Sequence, residues 1–169
     1  MESKAQFLGH PLHPMLIVFP LGLLATAVIF DAIYLLTGTV TMAIVAYWMI
    51  VAGIVGGLVA APFGLIDWLA IPAGTRAKSI GMIHGLGNVI VLLLFTISWL
   101  LRYDAPEMPG TPAYILSFAG AGLALVTAWL GGELVDRLGV GVDEGANLNA
   151  SNSLFKGSTK DRGRPKPLS

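Results

Sequence analysis

Residues 42–71 read MAIVAYWMIVAGIVGGLVAAPFGLIDWLAI, and this apolar run decides the class of fold. A single charged residue, Asp67, interrupts it. A helix needs about 20 predominantly apolar residues to cross the hydrocarbon core of a bilayer, so the run is long enough to span a membrane. Similar runs lie on both sides of it. We therefore predict an all-α protein, an antiparallel bundle of four transmembrane helices at about residues 14–36, 42–71, 80–101 and 113–135.

The composition points to the lipid bilayer as the solvent of this chain. Hydrophobic residues make up 55% of the 169 residues and charged residues only 12%, whereas a water-soluble domain carries about a quarter charged residues. The absence of cysteine excludes disulfides and thiolate metal sites. A net charge of 0 gives no support to nucleic-acid binding. The chain also lacks a phosphate-binding GxxxxGK[ST] loop and a GxSxG nucleophile motif, so no enzyme class is predicted.

The distribution of Lys and Arg predicts the orientation in the membrane. The connectors between the four runs are short and rich in Gly and Pro, which favours antiparallel neighbours. Positive flanking residues stay on the cytoplasmic side. Lys4, Arg76, Lys78 and Arg137 fall on one side, and Arg102 alone falls on the other. We therefore expect a multi-pass protein of the plasma membrane with both termini in the cytoplasm.

The chain after the fourth run has a different composition. Residues 144–169 are rich in Gly, Asn and Ser and end in a basic, Pro-containing stretch. Such a composition cannot bury a core. We predict a transmembrane domain over residues 9–143 followed by a disordered cytoplasmic tail at residues 144–169.

Polar residues lie on one face of each predicted helix. On the second helix, Asp67 continues a stripe of small residues that includes Gly57 and Gly64, and it therefore points into the bundle. His84 and Asn88 are neighbours one turn apart on the third helix. The depths of these residues place several of them near the cytoplasmic interface. The members of this predicted cluster are His13, Asp67, His84, Asn88 and Glu133.

One acidic residue lies at the opposite end of the predicted bundle. Asp31 is about 27 Å along the first helix from His13, near the outer interface, where Arg102 is an available cation. A carboxylate in a membrane helix is costly unless it is paired. We predict a structural pair of Asp31 with Arg102, and an outer gate or proton entry point is the functional alternative.

The His-Pro turn that opens the first helix carries a family resemblance. The motifs are GHPLHPMLIVFPLGL at residues 9–23, GLIDW at 64–68 and GGELVDRLGVGV at 131–142, together with Asp31, Arg76 and the pair His84 and Asn88. In these motifs the chain resembles a bacterial family of integral membrane proteins, domain of unknown function 2231, over residues 9–143. The resemblance implies a four-helix domain of the bacterial inner membrane. It also implies an association with redox modules such as Rieske or cytochrome c domains.

Three functions stay open on the sequence. The first is a membrane scaffold or assembly protein, associated with redox proteins or with copies of itself, whose polar groups only hold helices together. The second is a b-type haem protein with His84 as one axial ligand, His13 or His10 as the other, and Asn88 beside them. The third is a divalent metal or proton pathway through His13, Asp67, His84 and Glu133, residue types that suit zinc, iron or manganese.

Overall fold

Four long helices make up the computed structural model, which describes residues 1–155. The helical elements are α1 (Leu12–Leu16), α2 (Val18–Thr37), α3 (Val40–Ala70), α4 (Arg76–Leu100) and α5 (Thr111–Gly132). A five-residue π-helical turn, Glu133–Arg137, continues α5, and a short 3₁₀ turn follows at Ser153–Phe155. The predicted four-helix membrane fold is confirmed. Residues 156–169 of the predicted tail lie outside the described residues.

Local sequence signals explain where the long helices begin and end. Gly38 ends α2 with a left-handed backbone (φ 69°) that suits glycine. Thr75 caps the start of α4, because its side-chain oxygen accepts a hydrogen bond from the Lys78 amide at 3.2 Å. Pro112 occupies the first turn of α5, where the missing amide hydrogen costs nothing.

The four helices form a closed ring in which sequence neighbours pack most closely. Contacts join α2 to α3, α3 to α4, α4 to α5, and α5 back to α2. Glycines allow this close approach: an added Cβ at Gly53 would lie 2.5 Å from Leu24, and one at Gly57 would lie 2.6 Å from Leu92. The buried apolar core is Leu24, Ala27, Ala46, Ile50, Val91 and Phe95.

The outer surface of the bundle is apolar along all four helices. Leu58, Leu86 and Leu125 are among the long side chains that point away from the core, with exposures of 61%, 59% and 73%. Four segments are long and apolar enough to cross a membrane: Leu12–Thr37, Val40–Ala70, Arg76–Leu100 and Thr111–Arg137. An outer surface of this kind fits contact with lipid, because hydrocarbon chains solvate leucine as well as a protein core does.

Residues 1–11, which we call the N-terminal segment, fold against one end of the bundle. Strands β1 (Gln6–Phe7) and β2 (His10–Pro11) pair in a hairpin whose turn residues, Leu8 and Gly9, both have positive φ. The Ala5 carbonyl accepts a hydrogen bond from the Leu12 amide at 2.8 Å, and the Met1 carbonyl accepts one from the Gly141 amide at 2.8 Å. The segment thus reaches both the first helix and the chain that follows α5.

Candidate functional site

Two histidine rings meet inside the end of the bundle where α3 ends and α4 begins. His13 comes from α1 and His84 from α4, and we call these two residues the histidine pair. Their ring centroids are 6.5 Å apart and the ring planes are nearly perpendicular, at 86°. Both residues are only partly exposed. Of the sequence-predicted site residues, these two are brought together from distant parts of the chain.

Backbone carbonyls orient both rings. Nδ1 of His13 lies 3.0 Å from the carbonyl oxygen of Ala60, and Nδ1 of His84 lies 2.8 Å from that of Thr127. A carbonyl oxygen can only accept a hydrogen bond, so Nδ1 carries the hydrogen in each ring. In the neutral imidazole, Nε2 then keeps its lone pair.

The lone pair of His84 has a partner within the protein. Nδ2 of Asn88 donates to His84 Nε2 at 3.2 Å and to the His84 carbonyl at 3.0 Å. The hydroxyl of Thr127 donates to Oδ1 of Asn88 at 3.0 Å, which is consistent with this orientation of the amide. Both ring nitrogens of His84 are therefore hydrogen-bonded, and α4 is linked to α5 through side chain and backbone together.

Two glycines make room for the imidazoles. An added Cβ at Gly64 would lie 2.8 Å from Cε1 of His13, closer than real Cβ contacts come. An added Cβ at Gly131 would lie 3.2 Å from Cε1 of His84. The motif glycines at these positions thus have a packing reason, since each ring lies directly on a helix backbone that carries no side chain there.

Asp67, at the end of α3, holds the N-terminal segment. Its carboxylate accepts hydrogen bonds from the Ser3 hydroxyl at 2.8 Å and from the backbone amides of Lys4 and Ala5 at 2.7 and 3.4 Å. Ser3 is buried. The negative charge at this helix C-terminus, which opposes the helix dipole, is balanced by these donors.

Glu133 pairs with a cation on the neighbouring helix. Nη2 of Arg76, at the start of α4, lies 2.6 Å from Oε1 of Glu133, in the turn after α5. The arginine side chain is 61% exposed and the glutamate side chain 17%. The contact therefore links α4 to the end of α5 at the edge of the bundle.

The structure thus brings His13, His84 and Asn88 together but gives Asp67 and Glu133 other partners. Within residues 1–155, no three His, Asp or Glu side chains form a group that could hold a metal ion. His10 lies in β2, exposed, with Nε2 3.2 Å from the hydroxyl of Ser153. The four residues predicted as a metal site do not form one metal-binding group.

A second polar network lies at the other end of the bundle. Nη1 and Nη2 of Arg102 donate to the two carboxylate oxygens of Asp31 at 2.6 and 2.7 Å. Both side chains are fully buried. Ser117, on α5, donates to Asp31 at 3.0 Å, and Ser98, on α4, lies 3.2 Å from Nη2 of Arg102. Three long helices therefore meet at one ion pair.

Two polar atoms beside this network have no partner among the described residues. These are Nε of Arg102 and the hydroxyl of Tyr114. The tyrosine ring lies 5.2 Å from the guanidinium carbon of Arg102, within the range of a cation–π contact. The guanidinium group of Arg102 therefore contacts two side chains: its Nη1 and Nη2 atoms bond to the carboxylate of Asp31, and its carbon lies near the ring of Tyr114.

Sequence reasoning missed several members of both networks. Ser98, Ser117 and Thr127 are small hydroxyl residues inside apolar helices, where such side chains usually bond to their own backbone. A signal exists for one of them: Ser98 precedes Arg102 by four residues and so shares its helix face. Ser117 and Thr127 join the networks because α5 packs against α4. The spacing of residues along a single helix does not predict which residues of the neighbouring helix it contacts.

Comparison with known proteins places the chain in a family without assigning a role. A family model described as Predicted membrane protein (DUF2231) matches residues 9–144. No curated protein and no solved structure matches the chain. The matched range includes the histidine pair, Asp67, Glu133 and the network of Asp31 and Arg102.

Proposed function

The chain belongs to the DUF2231 family of predicted membrane proteins, and from that premise we propose that it is a membrane-embedded scaffold subunit. By scaffold we mean a domain that positions partner proteins at the bilayer and carries no cofactor of its own. The partner class we propose is redox proteins of the same membrane, which the family resemblance implies. The membrane we propose is the bacterial inner membrane, with both termini in the cytoplasm.

The observation that carries this proposal is the state of His84. Both ring nitrogens are hydrogen-bonded inside the protein, to the Thr127 carbonyl and to the Asn88 amide. An axial ligand to iron or a ligand to zinc needs a free nitrogen lone pair. In this arrangement the ring links α4 to α5 and offers no lone pair to a ligand.

The other polar groups support the same interpretation. Asp67 is satisfied by the N-terminal segment, Glu133 by Arg76, and Asp31 by Arg102. Each contact joins two parts of the chain that are distant in sequence. Polar side chains in membrane bundles serve in this way to fix helix positions, and a rigid bundle is what a scaffold requires.

The test of the proposal is the stability of His84 variants compared with a matched control. We expect His84→Ala to lower the free energy of unfolding in detergent by about 1 kcal/mol, since interhelical hydrogen bonds in membranes average somewhat less than this and a buried carbonyl also loses its donor. His10→Ala, which removes an exposed ring, is the control and should leave stability unchanged. Unchanged stability in His84→Ala would contradict a structural role for this ring.

A second candidate function is favoured by one observation. The histidine pair has ring centroids 6.5 Å apart, and both Nδ1 atoms are bound to carbonyl oxygens. This is the support that histidine ligands receive in metal and haem sites. A b-type haem protein would need Asn88 to release Nε2 of His84. Haem absorption that disappears in both His13→Ala and His84→Ala, and survives in His10→Ala, would establish this function and overturn the scaffold proposal.

A further inference from the structure

A surface cleft at the end of α5 contains two charged residues, Asp136 and Arg137, that have no role in the scaffold function proposed above. The cleft has a volume of about 310 Å³ and is formed by the last turn of α5 and the π-helical turn after it. We call it the interfacial cleft. Its lining residues are Trp129, Gly132, Glu133, Asp136 and Arg137. Single π-helical turns within helices are frequent at functional sites.

The cleft lies at the depth of lipid headgroups. The span Thr111–Arg137 has 27 residues and is therefore about 40 Å long, whereas the hydrocarbon core of a bilayer is about 30 Å thick. Its charged end, from Glu133 to Arg137, consequently emerges into the interface. Trp129 is 67% exposed one turn earlier, and tryptophan is enriched where hydrocarbon meets headgroups.

The charged side chains that line the cleft differ in whether they have a partner within the protein. Glu133 is bonded to Arg76 through Oε1. In contrast, the exposed side chains of Asp136 and Arg137 make no hydrogen bond or ion pair to any residue that the structure describes. The cleft therefore presents one free carboxylate and one free guanidinium, with no net charge between them.

We propose that the interfacial cleft binds the headgroup of a zwitterionic phospholipid that carries a primary amine, of the phosphatidylethanolamine type. Arg137 binds the phosphate, because the guanidinium fork matches phosphate oxygens in pairs. Asp136 accepts hydrogen bonds from the ammonium group. The glycerol backbone lies against the exposed face of Trp129.

The same charges disfavour the other common headgroups. An anionic headgroup would satisfy Arg137 but would be repelled by the free carboxylate of Asp136. A choline group donates no hydrogen bond, and its usual site is a cage of several aromatic rings, whereas Trp129 is the aromatic residue of this cleft. A primary ammonium group, which donates hydrogen bonds, suits the free carboxylate of Asp136 best.

Native mass spectrometry of the detergent-solubilised full chain tests the proposal. The probes are dioleoyl phosphatidylethanolamine, phosphatidylcholine and phosphatidylglycerol, each added at the same concentration. We expect about fivefold more bound phosphatidylethanolamine than either other lipid, which is the upper end of what one exposed ion pair contributes. Equal binding of all three, or a preference for phosphatidylglycerol, would overturn the proposal.

Variants locate the binding to the cleft. Arg137→Gln and Asp136→Asn should each reduce phosphatidylethanolamine binding to the level of phosphatidylcholine. Lys4→Gln is the matched control, since it removes an exposed charge outside the cleft, and it should change nothing. Both cleft side chains are exposed, so the thermal unfolding midpoints of the two cleft variants should equal that of the unaltered protein. A lipid preference that persists in both cleft variants would contradict this site.

A soluble headgroup distinguishes the lipid from a free ligand. Glycerophosphoethanolamine has the same phosphate and amine but no acyl chains. We expect that it does not displace the lipid at equal concentration, because the acyl chains add hydrophobic affinity. Displacement at equal concentration would mean that the cleft recognises a small soluble compound, and would overturn the assignment to a lipid.

Discussion

Asp31 and Arg102, 71 residues apart in sequence, form a two-point ion pair in which neither side chain is exposed. The pair is completed by Ser98 and Ser117 and lies among α2, α4 and α5. A buried charge without its partner is strongly destabilising, whereas the intact pair contributes little compared with an apolar replacement. The network therefore specifies which helices meet at this end of the bundle.

Removal of one member of this ion pair should destabilise the protein far more than removal of both members. We expect Asp31→Leu to lower the free energy of unfolding by about 3–5 kcal/mol, because it leaves the Arg102 guanidinium buried and unpaired. The double variant Asp31→Leu/Arg102→Leu should recover most of that loss. Unfolding in a mixed detergent titration measures both values. A double variant as unstable as the single one would contradict the pairing argument.

The link between Asn88 and His84 should appear as an energetic coupling. We expect the double variant Asn88→Ala/His84→Ala to lose less unfolding free energy than the sum of the losses in the two single variants. The difference, or coupling energy, should be about 0.5–1.5 kcal/mol, in the range measured for hydrogen bonds in membranes. A double-mutant cycle on the free energy of unfolding provides the measurement. The control pair is His10→Ala with Asn88→Ala, which share no contact. Strict additivity in the first cycle would show that the hydrogen bond contributes nothing.

Gly64 should not tolerate a side chain. A methyl group there would lie 2.8 Å from the His13 ring, so we expect Gly64→Ala to destabilise the fold by about 1–3 kcal/mol through overpacking. Gly85 is the control, because an added Cβ meets no atom within 4 Å. Gly85→Ala should be neutral or slightly stabilising, as alanine is the better helix former.

A rescue experiment identifies the cause of the Gly64 effect. His13→Ala removes the ring that the new methyl group would strike, so Gly64→Ala in that background should cost much less than it does alone. Thermal unfolding in detergent is sufficient for the comparison. An equal cost in both backgrounds would mean that something other than the imidazole is displaced.

The absence of cysteine makes the orientation directly measurable. The chain has no cysteine, so a single introduced thiol reports its own side of the membrane. We expect Ala73→Cys, in the connector before α4, to react only after the inner membrane is permeabilised. Glu107→Cys, in the connector before α5, should react in intact spheroplasts. Both positions are exposed. The opposite labelling pattern would place the termini outside.

The sequence was sufficient to predict the four helices because each helix is determined locally. An apolar run of about 20 residues or more has a single stable solution in a bilayer, a helix that satisfies its own backbone. The predicted helices and membrane class are confirmed, and so is the family. The prediction needed no knowledge of which helices touch.

The candidate site depends on contacts that a one-dimensional pattern does not contain. Depth along the helices placed His13, His84, Asp67 and Glu133 near one end, but depth does not fix the angle around the bundle. The Ser3 hydroxyl and two backbone amides hold Asp67, and these donors come from the N-terminal segment, whose fold no periodicity predicts. The apolar pattern along α5 likewise does not indicate the π-helical turn that carries Asp136 and Arg137.

The visible absorption spectrum of the purified protein tests the central claim most directly, namely that the histidine pair serves the structure of the bundle. The protein should be expressed with ample haem supply, purified in mild detergent, and measured as isolated and after dithionite. The account predicts a colourless protein in both states. A Soret peak with sharp reduced α and β bands, absent in His13→Ala and His84→Ala, would contradict it and make the pair a haem site.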